Sequence, residues 1–295
     1  MSVVWRYTYM VSFLLTVRLL CAYNKPMSQP NSCELEVLDL VPFGQTGNES
    51  RVFALRLGRP NWNIWCPGQF VMLRPHNFGL DIPWARPLAI CHMTARHMIC
   101  FFQVRGKGTR RMAELRPGDK VRVWGPLGNG FVMEPDTPTL LLAGGMGIVP
   151  FVGYVSEHLK PWNVSMLFGH REHISCYPVD SINEHIPVDS LREPENGDLD
   201  NFIYTIQERM REYAEQKGLV LACGPSPFLR TVQTFAAELG VRCQISLETR
   251  MACGVGACLG CVTKTTTAWP VGEKRERHVQ VCTHGPVFWA SQVAL

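Results

Sequence analysis

Four cysteines near the C-terminus carry the clearest chemical signal of the sequence. Cys253, Cys258 and Cys261 follow the spacing C-x4-C-x2-C, and Cys282 comes after twenty further residues. A plant-type [2Fe–2S] cluster takes its thiolates in this way, three from one loop and the fourth from later in the chain. We therefore expect these four thiolates to bind a [2Fe–2S] cluster.

The loop between these cysteines has the composition that wrapping around a cluster requires. Gly254, Gly256 and Gly260 permit tight turns that aim backbone N–H groups at sulfur. A structural zinc site is the alternative, but zinc sites more often use paired short C-x2-C hooks. This segment has one such hook, Cys258 to Cys261, so the spacing favours iron and sulfur over zinc.

A glycine-rich turn follows a short apolar run in the middle of the chain. Thr139–Ala143 is suited to a buried parallel strand, and a helical stretch follows the glycines Gly144, Gly145 and Gly147. Glycines let the backbone approach a pyrophosphate, whose negative charge the start of the helix favours. The alternative is a tight strand–helix turn without a ligand, and this feature alone leaves both open.

Two segments nearer the N-terminus offer further phosphate contacts. Arg86 stands just before an expected strand, where a guanidinium can pair with a phosphate, although an arginine in such a place is usually a surface residue. Gly108 and Thr109 lie at the start of an expected short helix, Arg110–Leu115. Their backbone N–H groups are suited to cradling a phosphate oxygen.

Cys223 and Gly224 end another apolar run. In an α/β sheet, ligands bind at the carboxyl ends of the strands, which is where these two residues fall. The thiol either lines a nicotinamide pocket or is a packed core cysteine, and the sequence leaves both open.

The elements that position these residues begin with a series of short strands. Alternating or apolar runs between Cys33 and Phe131 are separated by turn signals such as Pro117-Gly118. Six short strands with one short helix predict an antiparallel β-barrel. The expected strands are Glu34–Leu40, Arg51–Leu57, Gln69–Leu73, Leu88–His92, Met98–Val104 and Lys120–Trp124.

After Pro138 the pattern changes to apolar strands that alternate with helices. Val164–Phe168 and Leu219–Ala222 are expected strands, and Ile206–Gln216 is an expected helix. This alternation predicts a doubly wound α/β domain. Residues 181–201, rich in Pro, Asp, Asn and Glu, are expected to form an irregular surface loop.

The chain therefore has a β plus α/β organisation. We expect an uncertain N-terminal extension at residues 1–30, a barrel at 31–135, an α/β domain at 136–247 and a small cluster segment at 248–295. The apolar run Met10–Ala22 is typical of a signal peptide or a short anchor, but it contains Arg18 and is short for a bilayer span. We therefore expect an extension without membrane insertion.

Composition is that of a globular protein. Hydrophobic residues make up 46% of the 295 residues and charged residues 18%, which is not a disordered composition. The formal charge is +4 with both signs mixed and no long basic run, so nucleic-acid binding is not indicated. Thiolates that hold iron need a reducing compartment, so we expect a cytoplasmic protein.

Four short motifs occur in order along the chain. They are Arg-Pro-x-x at 86–89, Gly-x-Gly-Thr at 106–109, Gly-Gly-x-Gly-x-x-Pro at 144–150 and Cys-Gly-Pro at 223–225. Together they resemble the ferredoxin–NADP reductase superfamily, which pairs an FAD-binding barrel with a nicotinamide-binding α/β domain. The stretches Ser246–Cys261 and Val281–Phe288 are similar to the electron-transfer subunits of NAD-dependent dihydroorotate dehydrogenases.

This resemblance, which covers about residues 33–295, implies roles for individual residues. No acid–base residue is implied at the centre, because the cofactors carry the chemistry. The residues implied to hold FAD are Arg86, Pro87, Leu88, Ala89, Phe101, Phe102, Gln103, Gly108 and Thr109. The residues implied to contact NAD are Gly144, Gly145, Gly147, Cys223 and Gly224.

The chain departs from the family at two of these sites. Ala89 stands where the family usually has Ser, so a hydroxyl contact to the flavin N5 is lost, and Phe228 stands where relatives often carry Met. The sequence leaves NAD and NADP open: Arg171 is suited to a 2′-phosphate, whereas Glu172 is suited to a 2′-hydroxyl. The resemblance favours NAD.

The resemblance also implies a partner. In the resembling enzymes an FMN-containing catalytic subunit oxidises dihydroorotate in pyrimidine biosynthesis, and electrons reach NAD⁺ through the cluster and FAD. The implied assembly is a heterotetramer with two copies of each subunit. Related reductase subunits of hydrogenase, sulfide-linked or transhydrogenase complexes are the nearest alternative, and a zinc-bound interaction module without flavin is an alternative of another class.

Overall fold

The computed structural model describes residues 31–44, 51–62, 64–192, 199–266 and 278–295. The expected extension at residues 1–30 lies outside these ranges. Among the described helices, none is both long and apolar enough to cross a bilayer.

Six strands close into the expected antiparallel barrel. They are β1 Asn31–Phe43, β2 Val52–Gly58, β3 Phe70–Pro75, β4 Arg86–Met93, β5 His97–Gln103 and β6 Lys120–Leu127. Around the barrel they follow the order β1-β2-β5-β4-β3-β6. Successive side chains of a strand point to opposite faces, and the inward ones, such as Val37, Leu55 and Val121, pack into one apolar core.

The short helix of the barrel part begins earlier than expected. Helix α1 spans Lys107–Met112 rather than Arg110–Leu115, so Gly108 and Thr109 belong to its first turn. The hydroxyl of Thr109 accepts a hydrogen bond from the backbone N–H of Gly106 at 3.1 Å. This contact caps the helix at Gly106, which is why the predicted start was wrong.

The second part is the expected α/β domain. Its strands are β7 Thr139–Gly144, β8 Val164–His170, β9 Val188–Arg192, β10 Leu219–Cys223 and β11 Arg242–Ser246, with β14 Val287–Trp289 from the C-terminus. The sheet order is β14-β11-β10-β7-β8-β9, parallel except for β14. Its helices are α2 Val149–Glu157, α3 Val179–Asn183, α4 Leu199–Glu215 and α5 Ser226–Leu239.

The segment expected as an irregular loop, residues 181–201, contains regular structure. It includes β9 at the edge of the sheet and the first residues of α4, which begins at Leu199 rather than at Ile206. An edge strand has one neighbour and exposes much of its surface, so polar residues are tolerated in it. The polar composition of this segment therefore concealed the strand.

The C-terminal part packs between the barrel and the sheet. Beside β14, it contains a three-stranded sheet and a short helix: β12 Val262–Thr265, β13 His278–Gln280, α6 Val281–His284 and β15 Val293–Ala294. Cys261 and Cys282 lie in one apolar cluster with Met72 of β3 and Leu127 of β6. The predicted cluster segment is thereby fixed against the barrel.

Helix α2 joins the barrel to the α/β domain. A Cβ added at Gly153 in this helix would lie 2.5 Å from the ring of Trp65 and 2.8 Å from the carbonyl oxygen of Cys91 in β4. Only glycine permits so close an approach. The contact fixes the two parts against each other and leaves a cleft along their junction.

Candidate functional site

A cleft of about 1380 Å³ lies between the barrel and the carboxyl ends of the parallel strands. Pockets for a single small ligand are usually about 300–1000 Å³, so this cleft has room for more than one dinucleotide moiety. Of the predicted nucleotide-binding residues, Gly108 alone is not part of the lining. The others are Arg86, Pro87, Leu88, Ala89, Phe101, Phe102, Gln103, Thr109, Gly144, Gly145, Gly147, Cys223 and Gly224.

The guanidinium of Arg86 is placed to bind an anion in the cleft. Its Nη1 donates to the carbonyl oxygens of Trp84 at 2.8 Å and Ala85 at 3.2 Å, and it lies 5.5 Å from the ring centroid of Phe78. Burial lowers the pKa of Arg86 from its ordinary value. A partly desolvated cation that donates to neutral carbonyls is a suitable partner for a phosphate.

Thr109 shapes the turn beside Arg86. Its hydroxyl oxygen accepts from the backbone N–H groups of Arg105 at 2.9 Å and Gly106 at 3.1 Å. The hydroxyl therefore holds the loop before α1, and a phosphate contact at this residue is left to its backbone. Gly108 leaves space for the guanidinium of Arg86, because a Cβ at this position would lie 2.2 Å from its Nη2.

Two phenylalanines of β5 form an apolar wall of the cleft. Phe101 meets Phe43 edge-on with ring centroids 4.9 Å apart, and Phe102 stacks on Phe53 at 5.5 Å. These contacts fix the two rings. Ala89 on the neighbouring strand β4 lines the same cleft and brings no hydroxyl group to it.

Gly147 lets two strand ends approach closely. A Cβ at this position would lie 2.0 Å from the carbonyl oxygen of Cys223 and 2.7 Å from the backbone nitrogen of Gly224. Gly145 meets a different requirement, because its φ of +53° lies in the left-handed region. The glycine turn after β7 is thus held directly against the end of β10.

The thiol of Cys223 is a neutral group of the cleft. Burial raises its pKa to about 12, with a hydrogen bond from Ser246 acting in the opposite direction. Next to it, the ring of Phe228 would lie 2.7 Å from a Cβ on Gly224, and it stacks on Phe202 with centroids 6.2 Å apart. The two rings form an aromatic wall beside Cys223 and Gly224.

Charged residues line the far end of the cleft, after β8 and β9. Nδ1 of His170 lies 2.8 Å from the carbonyl oxygen of Glu172 and carries a proton there, because a carbonyl can only accept. Nε of Arg192 donates to the carbonyl oxygen of Arg171 at 3.2 Å. These contacts hold the turn that presents Arg171 and Glu172 to the cleft.

The positive charge of the cleft suits phosphate groups. Arg51 and Arg105 line it in addition to the arginines already described, whereas its acidic residues are Glu172 and Glu248. A concave surface lined by one sign of charge concentrates ligands of the opposite sign. The excess of guanidinium groups therefore fits the pyrophosphates of two dinucleotides.

The four cysteines approach one another as two pairs. The side chains of Cys253 and Cys258 are hydrogen-bonded to each other, and so are those of Cys261 and Cys282. Within the described ranges, no three His, Cys, Asp or Glu side chains gather as for a single metal ion. A zinc ion needs its four ligands around one point, whereas two irons each take two cysteines. The two cysteine pairs agree in number with the two irons of a [2Fe–2S] cluster.

Backbone N–H groups point at the cysteine sulfurs. Val255 and Cys258 each donate to Sγ of Cys253 at 3.4 Å, and Cys282 donates to Sγ of Cys261 at 3.4 Å. The N–H of Gly260 is the largest of the causes that lower the pKa of the exposed Cys258 thiol to about 7. Burial raises the pKa of Cys282 to about 12. The N–H groups favour thiolates in the loop.

The loop uses its expected glycines unequally. Gly254 and Gly256 have φ values of +71° and +83°, as their predicted role in tight turns requires. Gly260 is not among the residues with positive φ in the described ranges, and the exposed Leu259 has a φ of +56° instead. The backbone N–H of Gly260 nevertheless points at the sulfur of Cys258, as expected, while the neighbouring Leu259 adopts the left-handed conformation of the turn.

Two residues of the cleft were missed at the level of sequence. Thr249 and Met251 line it, and the hydroxyl of Thr249 is buried without a hydrogen-bond partner in the described part of the chain. An unpaired buried hydroxyl fits a site that a polar ligand completes. Their position just before Cys253 was the signal available, because a residue next to a cluster ligand can also face the cleft.

Comparison with known proteins gives one matching family model. The model described as the iron-sulfur cluster binding domain of dihydroorotate dehydrogenase B matches residues 248–294. Several curated relatives bear the name dihydroorotate dehydrogenase B (NAD(+)), electron transfer subunit. The relative from Desulforamulus reducens is 34% identical over 235 residues, which cover 77% of this chain and 86% of the relative.

Two further relatives carry the same name. The protein of Caldanaerobacter subterraneus subsp. tengcongensis is 32% identical over 228 residues, covering 77% of this chain and 86% of its own. The protein of Listeria innocua is 31% identical over 258 residues, covering 85% of this chain and 96% of its own.

Solved structures share the fold at low identity. A chain of the NADH-dependent reduced ferredoxin-NADP oxidoreductase, described for flavin-based electron bifurcation, has a TM-score of 0.68 at 22% identity and covers 88% of this chain and 89% of its own. The ferredoxin-NADP+ reductase of Plasmodium falciparum has a TM-score of 0.57 at 13% identity and covers 71% and 92%. Both likenesses agree with the barrel and α/β architecture predicted from the sequence.

Proposed function

The chain belongs to the family of dihydroorotate dehydrogenase B electron transfer subunits, and from this premise we propose that it carries electrons from a dihydroorotate-oxidising subunit through a [2Fe–2S] cluster and FAD to NAD⁺. The assembly would convert dihydroorotate and NAD⁺ into orotate, NADH and a proton. When bound, the cluster passes single electrons, the flavin exchanges single electrons for a pair, and the nicotinamide takes the pair as a hydride.

One observation carries this proposal: the loop that contains Cys253, Cys258 and Cys261 begins beside the residues that line the dinucleotide cleft. Met251 lines the cleft, and Cys253, the first of the paired cysteines, comes two residues later. An extended chain covers at most about 3.6 Å per residue, so these positions are at most about 7 Å apart along the backbone. Such proximity supports direct electron exchange between a cluster and a flavin.

The barrel side of the cleft is assigned to FAD. Arg86 and the backbone of Gly108 and Thr109 would hold the pyrophosphate, since this is where a guanidinium meets the start of α1. Pro87, Leu88, Ala89, Phe101, Phe102 and Gln103 would line the flavin. The unpaired hydroxyl of Thr249 offers it one further hydrogen bond.

The sheet side of the cleft is assigned to NAD. Gly144, Gly145 and Gly147 would let the backbone approach its pyrophosphate, and the neutral thiol of Cys223 with Gly224 would lie near its nicotinamide. These residues exclude water and orient the ring toward the flavin, and no acid or base is needed at this point because the hydride carries no separate proton.

Cys253, Cys258, Cys261 and Cys282 are assigned to the cluster. Their pairing and the N–H groups that point at their sulfurs support these four residues as those that would hold the [2Fe–2S] cluster. The exposed side chains of Val255 and Leu259 lie on the same loop as the exposed Cys258. We assign this apolar rim to contact with the FMN-containing catalytic subunit.

The assembly and its compartment follow from the same chemistry. We propose a heterotetramer with two copies of each subunit, as the family resemblance implies. Four thiolates must remain reduced until the cluster is built, which supports a cytoplasmic location.

The division of labour between the subunits can be tested by purification with and without the catalytic subunit. The chain alone should oxidise NADH with ferricyanide as acceptor and should not oxidise dihydroorotate. The complex should reduce NAD⁺ with dihydroorotate. Rapid dihydroorotate oxidation by the chain alone would refute the proposal, as would a colourless protein that holds zinc and no flavin.

Two serine substitutions, one at a cluster cysteine and one at another buried cysteine, test the cluster assignment. Cys282→Ser should abolish the low-temperature EPR signal of the reduced cluster and the coupled reaction, while NADH oxidation by ferricyanide continues. Cys243→Ser changes another buried cysteine, on β11, and should leave both intact. Equal effects of the two substitutions would contradict the assignment.

A further inference from the structure

The loop around the first cluster ligand is pressed onto two strands of the barrel. A Cβ at Gly254 would lie 2.4 Å from Cγ of Met72 in β3 and 3.0 Å from Cδ1 of Leu127 in β6. The loop therefore has no space to move toward the barrel. A directional contact also opposes movement of the loop away from the barrel, since apolar packing alone does not fix orientation.

That contact comes from Trp124. This residue lies on β6 and is paired with Met72 of β3. Its indole Nε1–H donates to the carbonyl oxygen of Cys253 at 2.9 Å, a normal length for such a bond. The two residues are 129 positions apart, so the bond joins the flavin-side barrel directly to the first cluster ligand.

The bonded carbonyl belongs to a residue whose sulfur is itself hydrogen-bonded by its own loop. Sγ of Cys253 accepts from the N–H groups of Val255 and Cys258, both at 3.4 Å. Rotation of the peptide after Cys253 would change the directions of these N–H groups. Hydrogen bonds to cluster sulfurs set the reduction potential of iron–sulfur clusters, so the indole acts on the sulfur through the backbone.

The donor at this position is a ring N–H. A phenylalanine would fill much of the same half-buried space between the barrel and the cluster segment but has no N–H. The ring of Trp124 packs against the same apolar cluster that contains Cys261 and Cys282. Packing and hydrogen bonding at residue 124 can therefore be separated by one substitution.

We propose that Trp124 is a positioning residue for electron exchange between the cluster and the flavin. Its indole N–H holds the carbonyl of Cys253 and thereby fixes both the separation of the cluster from the cleft and the N–H groups at the Cys253 sulfur. The inference rests on the proposed function. The proposed function runs from the cluster to FAD and NAD⁺; in the reverse direction, each NADH would supply two electrons as a hydride to the flavin, and the cluster would receive them one at a time.

Trp124→Phe tests this in the complete complex. After NADH reduces the flavin, stopped-flow absorbance should show the cluster being reduced about tenfold more slowly than in the wild type, a typical loss for an outer-shell contact. The EPR g values and the midpoint potential of the cluster should also shift. NADH oxidation by ferricyanide, which draws electrons from the flavin, should be unchanged.

Trp62→Phe is the matched control. Trp62 is buried in the barrel core, and its Nε1 has no hydrogen-bond partner in the described part of the chain, so this substitution removes an indole without removing a bond. It should leave the cluster reduction rate and the EPR spectrum as in the wild type. If Trp124→Phe also leaves both unchanged, the proposal is overturned.

A second variant covers failure of cluster assembly. Should Trp124→Phe bind flavin but no cluster, Trp124→His decides, because it restores a ring N–H at the same place. Recovery of the cluster supports the proposal, and continued absence overturns it. A wild-type chain without a cluster would instead remove the proposed function itself, which keeps the two failures distinct.

Discussion

The guanidinium of Arg86 rests directly on the backbone of Gly108, so closely that a Cβ on the glycine would lie 2.2 Å from Nη2 and 2.4 Å from Nε. The two residues come from β4 and α1, and Arg86 lines the cleft. Glycine at 108 is thus what allows a cation to lie across the first turn of a helix. The pair forms the floor of the pyrophosphate site assigned to FAD.

Gly108→Ala should displace Arg86 without disturbing the fold. The clashing atoms are at the end of a flexible side chain, which can swing away, and alanine within a helix is about 1 kcal/mol more favourable than glycine. The lost charge-assisted contact is worth about 1.5–3 kcal/mol, so FAD affinity should fall about 10- to 100-fold. Flavin titration of the apoprotein measures this.

Gly106→Ala is the control in the same loop. A Cβ there meets nothing within 4 Å, and its backbone is extended, so FAD affinity should hardly change. A similar loss in both variants would indicate that loop flexibility, rather than the position of Arg86, determines flavin binding.

Gly147→Ala should damage the nucleotide site through the backbone. Its Cβ would lie 2.0 Å from the carbonyl oxygen of Cys223, and a strand cannot move aside as a side chain can. Overpacking of this kind costs about 3 kcal/mol, and the strand ends would separate. We expect lower unfolding stability in urea and a raised KM for NADH, with flavin content retained.

Gly145→Ala tests the effect of backbone strain without a steric clash. This glycine has a φ of +53°, but nothing lies within 4 Å of its added Cβ. The left-handed conformation costs alanine about 1–2 kcal/mol, which is less than the clash at Gly147. Should Gly145→Ala prove the more harmful variant, the close approach of Gly147 to Cys223 would not be the limiting feature.

Most of the fold follows from local pattern. Parts of β1 and β6 alternate between buried and exposed residues, and Thr139–Gly144 is buried throughout because a central parallel strand is covered on both faces. These signals lie within each segment. By contrast, β9 shows no such pattern, since an edge strand is stabilised by its hydrogen bonds to β8 rather than by burial of its own side chains.

The parts of the candidate site that consist of a short sequence motif could be predicted. The parts that depend on contacts between distant residues could not. The cysteine spacing indicates the cluster by itself. The bond from Trp124 to Cys253 joins residues 129 positions apart, and Asn129 meets residues more than 150 positions away. Only the packing of the C-terminal segment onto the barrel brings these partners together, so no pattern within either segment reveals them. The ligand assignments of individual residues stay predictions.

Glu172→Gln should shift nucleotide preference toward NADPH. Arg171 and Arg192 lie at the same end of the cleft, and the carboxylate of Glu172 opposes the 2′-phosphate that these arginines would attract. Removing its charge should raise the NADPH to NADH ratio of kcat/KM about tenfold, which corresponds to about 1.4 kcal/mol. Steady-state kinetics with ferricyanide as acceptor measure the ratio.

Glu184→Gln removes an exposed carboxylate elsewhere on the α/β domain, at the end of α3, and should leave this preference unchanged. An unchanged ratio in Glu172→Gln would mean that this side chain does not face the ribose. An equal rise in both variants would indicate a general charge effect.

Asn129→Ala should loosen the C-terminal segment from the barrel. Its side chain donates to the carbonyl oxygens of His284 at 3.2 Å and Val287 at 2.8 Å and accepts from the N–H of Val287 at 3.0 Å. At about 1 kcal/mol each, these bonds contribute about 3 kcal/mol to holding the segment. Because Cys282 lies two residues before His284, the cluster should bleach at lower urea concentration than the flavin is released.

Asn163→Ala removes a single comparable bond, from its side-chain nitrogen to the carbonyl oxygen of Pro135 at 2.7 Å, far from the cysteines. It should cost about 1 kcal/mol and leave cluster bleaching and flavin release in their wild-type order. If Asn129→Ala lost flavin and cluster together, the segment would unfold with the barrel as one unit, and the local tether at Asn129 would not be what retains Cys282.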